Sequence, residues 1–162
     1  MIDLKTARDK ADKLADNEMP ALSSLRRWIS RGLLSGTIDY SEKGRAGGRV
    51  GLYPDSIVAE IATVIALKNR YNHKEIVEVR ENIISDLDTK QINSKNIKEI
   101  LKKRYIKLEK LFNPGDRSGP GEMEETENLF RQTFKEKDYL ETYQYYIKKA
   151  AEVMNQDEKI FQ

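Results

Sequence analysis

The chain has 162 residues, a formal net charge of +2, 35% charged and 38% hydrophobic residues, and no cysteine. That length suits one moderate domain or two small ones, and the missing cysteines exclude disulfides, thiol redox sensing and thiolate metal sites, in keeping with a reducing cytoplasm. No apolar run approaches the roughly 20 residues a membrane span requires and the N-terminus lacks a signal-peptide core, so a cytoplasmic chain with no membrane partner is expected.

Asp3 to Asp16 has helical spacing, with Leu4, Ala7, Ala11, Leu14 and Ala15 on one face and charges elsewhere. Asn17-Glu18-Met19-Pro20 breaks this helix, and Pro20 or Ala21 opens a second without a capping serine. There Leu22, Leu25 and Ile29 form an apolar stripe with Trp28 at its edge, while Ser23, Arg26, Arg27 and Ser30 project from the opposite side with Arg31 alongside. Such a surface suits a polyanion, because guanidinium forks match phosphate oxygens and guanine edges and serine is small enough for close approach. The plain alternative is a solvated helix face.

Gly32 is placed to stop that helix in a left-handed turn. Thr37–Tyr40 and Arg49–Tyr53 read as two short antiparallel strands, and between and within them Lys43, Arg45 and Arg49 are interleaved with Gly44, Gly47, Gly48 and Gly51. The glycines match neither GxxxxGK[ST] nor GxGxxG, so a nucleotide loop is not indicated. From Ala21 to Tyr53 the basic residues Arg26, Arg27, Arg31, Lys43, Arg45 and Arg49 face only Asp39 and Glu42, whereas Glu122, Glu124, Glu125 and Glu127 form a later acidic block. Charge is thus segregated, with a cationic patch early in the chain.

Ser24-Leu25-Arg26 and Gly32-Leu33-Leu34, followed by a wing that closes on Leu52-Tyr53 and a helix beginning just after, resemble the DNA-binding domain of the MerR family of bacterial transcription regulators. The resemblance covers the chain up to about residue 76 and implies a winged helix-turn-helix in which Arg26 contacts DNA and Trp28 lies in the recognition helix. Three features depart from the family pattern. Arg27 stands where a tyrosine is usual, the wing is longer, and Gly51 replaces a wing arginine whose contact falls to Arg49. Ser23, Ser24, Arg26, Arg27, Arg31, Lys43, Arg45, Arg49 and Tyr53 are the residues expected at DNA.

Tyr53-Pro54-Asp55-Ser56 starts a third helix that is apolar nearly all round and should be the core of the first unit. His73 to Asp86 continues as a fourth. The lone His73 reads as a helix-start or surface residue, since a metal site needs three or four converging groups. After a polar connector, Asn96 to Phe112 forms an amphipathic helix that either folds back on its own chain or pairs with a second copy, with Arg104 interrupting the heptad. Asn113 to Gly121 reads as a loop, Glu122 to Lys135 follows, and Asp138 should cap a last helix whose Tyr139, Tyr143, Tyr145 and Tyr146 are expected to pack rather than bind a ligand.

The expected fold is mostly α: a winged helix-turn-helix over residues 1–86 with a small β-hairpin wing, then a helical region over 94–162 serving dimerisation, an effector or a protein partner. Catalytic machinery is not visible: there is no cysteine nucleophile, histidine pair or GxSxG, and no cofactor or metal is indicated. The expected function is a homodimeric regulator of transcription on palindromic double-stranded DNA. Two alternatives stay open: an architectural or phage-type DNA-binding protein for packaging, excision or chromosome anchoring, and a helical interaction module with no DNA role.

Overall fold

The computed structural model describes residues 1–42, 49–87, 92–112 and 120–160. It is mostly helical, with a three-stranded antiparallel sheet. A short strand, β1 (Ile2–Asp3), precedes α1 (Leu4–Asp12), and Asp3 serves both: it ends the strand, and its Oδ1 accepts the Thr6 N–H at 2.7 Å as helix N-cap. The first helix therefore starts at Leu4 and closes at Asp12, four residues short of the expected Asp16, although Leu14 still packs into the core in the turn that follows.

α2 (Leu22–Ser30) has no side-chain cap on Ala21. The turn before it is held from α1 instead, where Arg8 Nε donates to the Pro20 carbonyl at 2.7 Å and Nη2 to that of Met19 at 3.4 Å. The helix ends in a Schellman turn: Gly32 has φ +84°, its N–H reaches the Ile29 carbonyl and the Leu33 N–H reaches that of Trp28. Leu33 and Leu34 then enter the core.

β2 (Asp39–Glu42) pairs with β3 (Arg49–Tyr53) in the register Asp39↔Leu52, Tyr40↔Gly51, Ser41↔Val50 and Glu42↔Arg49. The first strand lies two residues later than expected, and just before it the Ile38 N–H donates to the Leu52 carbonyl of β3. β1 pairs with the other edge of β3, making β3 central. Residues 43–48, with the expected contacts Lys43 and Arg45, lie outside the described residues.

α3 (Ile57–Leu67) is buried over almost its whole circumference, including Glu60 and Thr63. It lies between α1 and the last helix. α4 (His73–Ser85) begins with a reciprocal capping box between Asn72 and Glu75. α5 (Ile97–Phe112) turns Ile97, Ile100, Arg104 and Leu108 inward against α6 (Pro120–Ile160), which runs for 41 residues without interruption.

That continuity corrects the expected break at Asp138. Its carboxylate caps nothing; Oδ2 accepts the Tyr71 hydroxyl at 2.8 Å and pairs with Arg70 at 3.2 Å, so the residue ties the α3–α4 turn to α6. Tyr139, Leu140 and Tyr143 sit in the same core as Ile57, Ile61 and Ile65. The core is thus continuous across the boundary expected near residue 86.

Candidate functional site

The basic face of α2 is open. Ser23, Arg26, Arg27 and Arg31 are exposed and Ser24 is half-buried, while Leu25 and Trp28 on the other side are buried. Trp28 lies deeper than the edge position its spacing suggested, its ring edge-on to His73 at 5.8 Å between centroids. Arg27 Nη2 donates to Ser24 Oγ at 3.3 Å, a weak local contact, and Ser30 Oγ donates back to the Arg27 carbonyl at 2.9 Å. Ser30 is thereby turned onto its own helix.

Among the described residues none of Arg26, Arg27, Arg31 and Arg49 forms a salt bridge. The contrast with other arginines is sharp: Arg70, Arg80, Arg104 and Arg131 all pair with carboxylates. A surface guanidinium without an ion pair keeps donors for a partner; the other described arginine without a carboxylate is Arg8, which is spent on the Pro20 and Met19 carbonyls.

The sheet stands beside this helix. Arg49, Gly51 and Tyr53 alternate onto one face of β3, and register brings Tyr40 opposite Gly51 on that face. Tyr53 is only 9% exposed. Burial pushes its hydroxyl above the usual tyrosine range and the positive charge of Arg26 acts against that, which places the α2 guanidinium and the β3 phenol within electrostatic reach of one another. Of the expected contacts, the fold brings Arg26 and Tyr53 within electrostatic reach, exposes Ser23, Arg27, Arg31 and Arg49, and leaves Ser24 half-covered.

Beneath the site lies a buried polar network that sequence reasoning missed. Arg80 of α4 donates from Nη1 to the Gly32 carbonyl at 3.3 Å and from Nη2 to Ser35 Oγ at 2.9 Å, and its Nη2 pairs with Glu60 Oε1 at 3.3 Å. Ser35 Oγ donates to the same carboxylate at 2.7 Å. Burial raises the Glu60 pKa while Arg80 opposes the rise. The end of α2 is therefore fastened to α3 and α4 by one guanidinium. The only available signal was an acid inside an otherwise apolar helix, which demands a buried partner but does not say which one.

The C-terminal helices offer a different surface. Tyr139 and Tyr143 stack at 6.0 Å inside the core, and the Tyr143 hydroxyl donates to the Ile92 carbonyl at 3.0 Å, so these rings are taken up by core packing. Tyr146 is half-buried and Tyr145 exposed. Further out, Phe112 is 71% exposed, its ring edge-on to Phe130 at 4.9 Å; Phe130 stacks on Phe134, and Lys137 Nζ lies over both Phe134 and Tyr105. An aromatic strip thus runs along the outside of the α5–α6 pair.

Comparison with known proteins finds no family model, no curated protein and no solved structure that the chain matches.

Proposed function

We propose that the protein is a sequence-specific double-stranded DNA-binding regulator of transcription, built on a MerR-like winged helix-turn-helix and acting as a homodimer on a palindromic site. The observation that carries this is a set of exposed guanidiniums with no ion pair among the described residues, Arg26, Arg27 and Arg31 on one helix with Arg49 on β3. In this role α2 enters the major groove, Arg26 reads base edges, and Arg49 with the wing residues Lys43 and Arg45 follows the phosphate backbone. Net charge is too small to hold DNA by bulk attraction, so the local patch supplies the counterion release on which binding depends.

The seam of α5 is filled by α6 of the same chain, which leaves the strip of Phe112, Phe134 and Tyr105 as the surface for a second copy. The same strip favours a second reading, in which the DNA-binding half is kept and this surface holds a protein partner in a packaging, excision or anchoring assembly. A small-molecule effector at these helices has less support, since the inward tyrosines are consumed by packing.

The test is a selection of bound genomic fragments by wild type and by Arg26→Ala. Wild type should return one palindromic motif and the variant should lose it. Recovery of fragments without a shared motif removes sequence-specific regulation and leaves the architectural role; no recovery at low salt removes DNA binding altogether.

A further inference from the structure

Thr37, Tyr40 and Tyr53 surround Gly51. A Cβ at that position would lie 2.7 Å from Thr37 Cγ2 and 3.7 Å from the Tyr53 hydroxyl, so Thr37 is packed onto the bare glycine backbone and the Tyr53 oxygen is close by. Tyr40 is the cross-strand partner of Gly51, and its hydroxyl accepts from Thr37 Oγ1 at 3.2 Å. Directly opposite residues of an antiparallel pair share a face, which puts Tyr40, Gly51 and Tyr53 on one side of the sheet.

The hydrogen-bonding state of these oxygens is lopsided. Thr37 Oγ1 donates to Tyr40, and among the described residues the Tyr40 hydroxyl donates to nothing and the Tyr53 hydroxyl has no hydrogen-bond partner. Two phenolic O–H donors are therefore left over, one on a side chain that is 55% exposed and one at the rim of the core. A tyrosine that has only to pack needs no hydroxyl, and phenylalanine would fill the same volume.

We infer that Thr37, Tyr40 and Tyr53 form a phosphate-binding cluster between β3 and α2, in which the two phenols donate to one DNA phosphodiester beside the Arg26 guanidinium. Its ligand class is an anionic oxygen with at least two acceptor directions, which the non-bridging oxygens of a phosphodiester supply. Gly51 is required because any side chain there would displace Thr37 and scatter the cluster. The cluster's role rests on the DNA-binding function proposed above and joins Thr37 and Tyr40 to Tyr53, which the sequence already placed at DNA.

Neutrality gives the site its own signature. Loss of a lysine or arginine contact lowers both affinity and the dependence of affinity on salt, because fewer counterions are released. Loss of a phenol contact should lower affinity and leave the salt slope unchanged. Binding of a labelled random duplex is measured across a salt series for wild type, Tyr40→Phe, Tyr53→Phe, the double variant and Arg49→Ala, with thermal melts to confirm that each is folded. Each single Tyr→Phe change should weaken binding by roughly tenfold, the scale of one hydrogen bond to a charged acceptor, with the slope as in wild type, whereas Arg49→Ala should make the slope shallower. Folded Tyr→Phe variants that bind as tightly as wild type overturn the cluster and leave DNA binding standing. A wild type that fails to bind duplex overturns both.

Discussion

At the scale of single residues, the buried ion pair under α2 is the feature with the largest consequence for stability. Arg80 serves Glu60, Ser35 and the Gly32 carbonyl at once. Removing it leaves a carboxylate stranded among apolar side chains, and Arg80→Ala should destabilise the fold by about 3–5 kcal/mol. Replacing both partners, as Glu60→Leu with Arg80→Met, should cost markedly less because no charge is then left alone; urea denaturation of the two variants tests the order. The double variant also frees the end of α2, so under the proposed DNA-binding role it should bind duplex more weakly than its stability predicts.

Tyr71 supplies a titration that can be followed from outside. Burial and its hydrogen bond to Asp138 push its hydroxyl up to about 12, against about 10 for a free tyrosine. Between those values the folded state keeps a proton that the unfolded state has lost, so the Tyr71 contribution to stability is complete below about pH 10 and falls as pH rises through the window. Tyr139 and Tyr143 are raised in the same direction by burial. Denaturation curves at pH 9 and pH 11 should show wild type losing stability between them and Tyr71→Phe losing less. Equal losses would mean that the Tyr71–Asp138 bond is absent in solution.

At the scale of elements, most helices were legible and the places where they join were not. α2, α3 and α4 fall within a residue or two of their expected bounds: Gly32 stops the apolar stripe of the first, Pro54-Asp55-Ser56 starts the all-round apolar run of the second, and the third opens at His73, where the structure adds the Asn72 capping box. β1 was hidden because two residues carry no period, and Ile2 and Asp3 become a strand only when Tyr53 and Leu52 lie alongside. Asp138 looked like a cap because an acid before an apolar run usually is one. Its true partner, Tyr71, is far away in sequence, and no local pattern contains that information.

Arg104 makes the same point. As a flaw in a heptad it argued against a clean coiled-coil seam; in the fold it is buried against Glu136 at 3.1 Å and paired with Asp86, joining α5, α6 and the end of α4. Burial pushes the Glu136 carboxyl up and Arg104 restrains it. Arg104→Ala should cost about 3–5 kcal/mol by leaving Glu136 unpaired, while Arg104→Met combined with Glu136→Leu restores an apolar seam and should recover most of it. If the double variant is no better than the single, Asp86 rather than Glu136 is the partner that matters.

At the scale of the whole molecule, α6 is the element on which independence of the two expected halves turns. It packs along α3 and also touches α1, and Tyr139 and Tyr143 are each about 1% exposed there. A buried aromatic removes some 150–250 Å² from water, which at about 25 cal/mol/Å² is worth roughly 4–6 kcal/mol apiece. A net stability of about 5–15 kcal/mol is typical of a domain, so losing these two contacts alone rivals the whole margin. The full chain should therefore melt in one cooperative calorimetric transition, with van't Hoff and calorimetric enthalpies in agreement. A chain ending at Phe112 should lack that transition and bind a hydrophobic dye through the uncovered face of α3. Were the shortened chain to melt cooperatively and still bind duplex DNA, the N-terminal half would be a self-sufficient reader and α6 a detachable cover; its failure would mean that whatever engages the outer strip of α5 and α6 acts on the same cooperative body that carries Arg26.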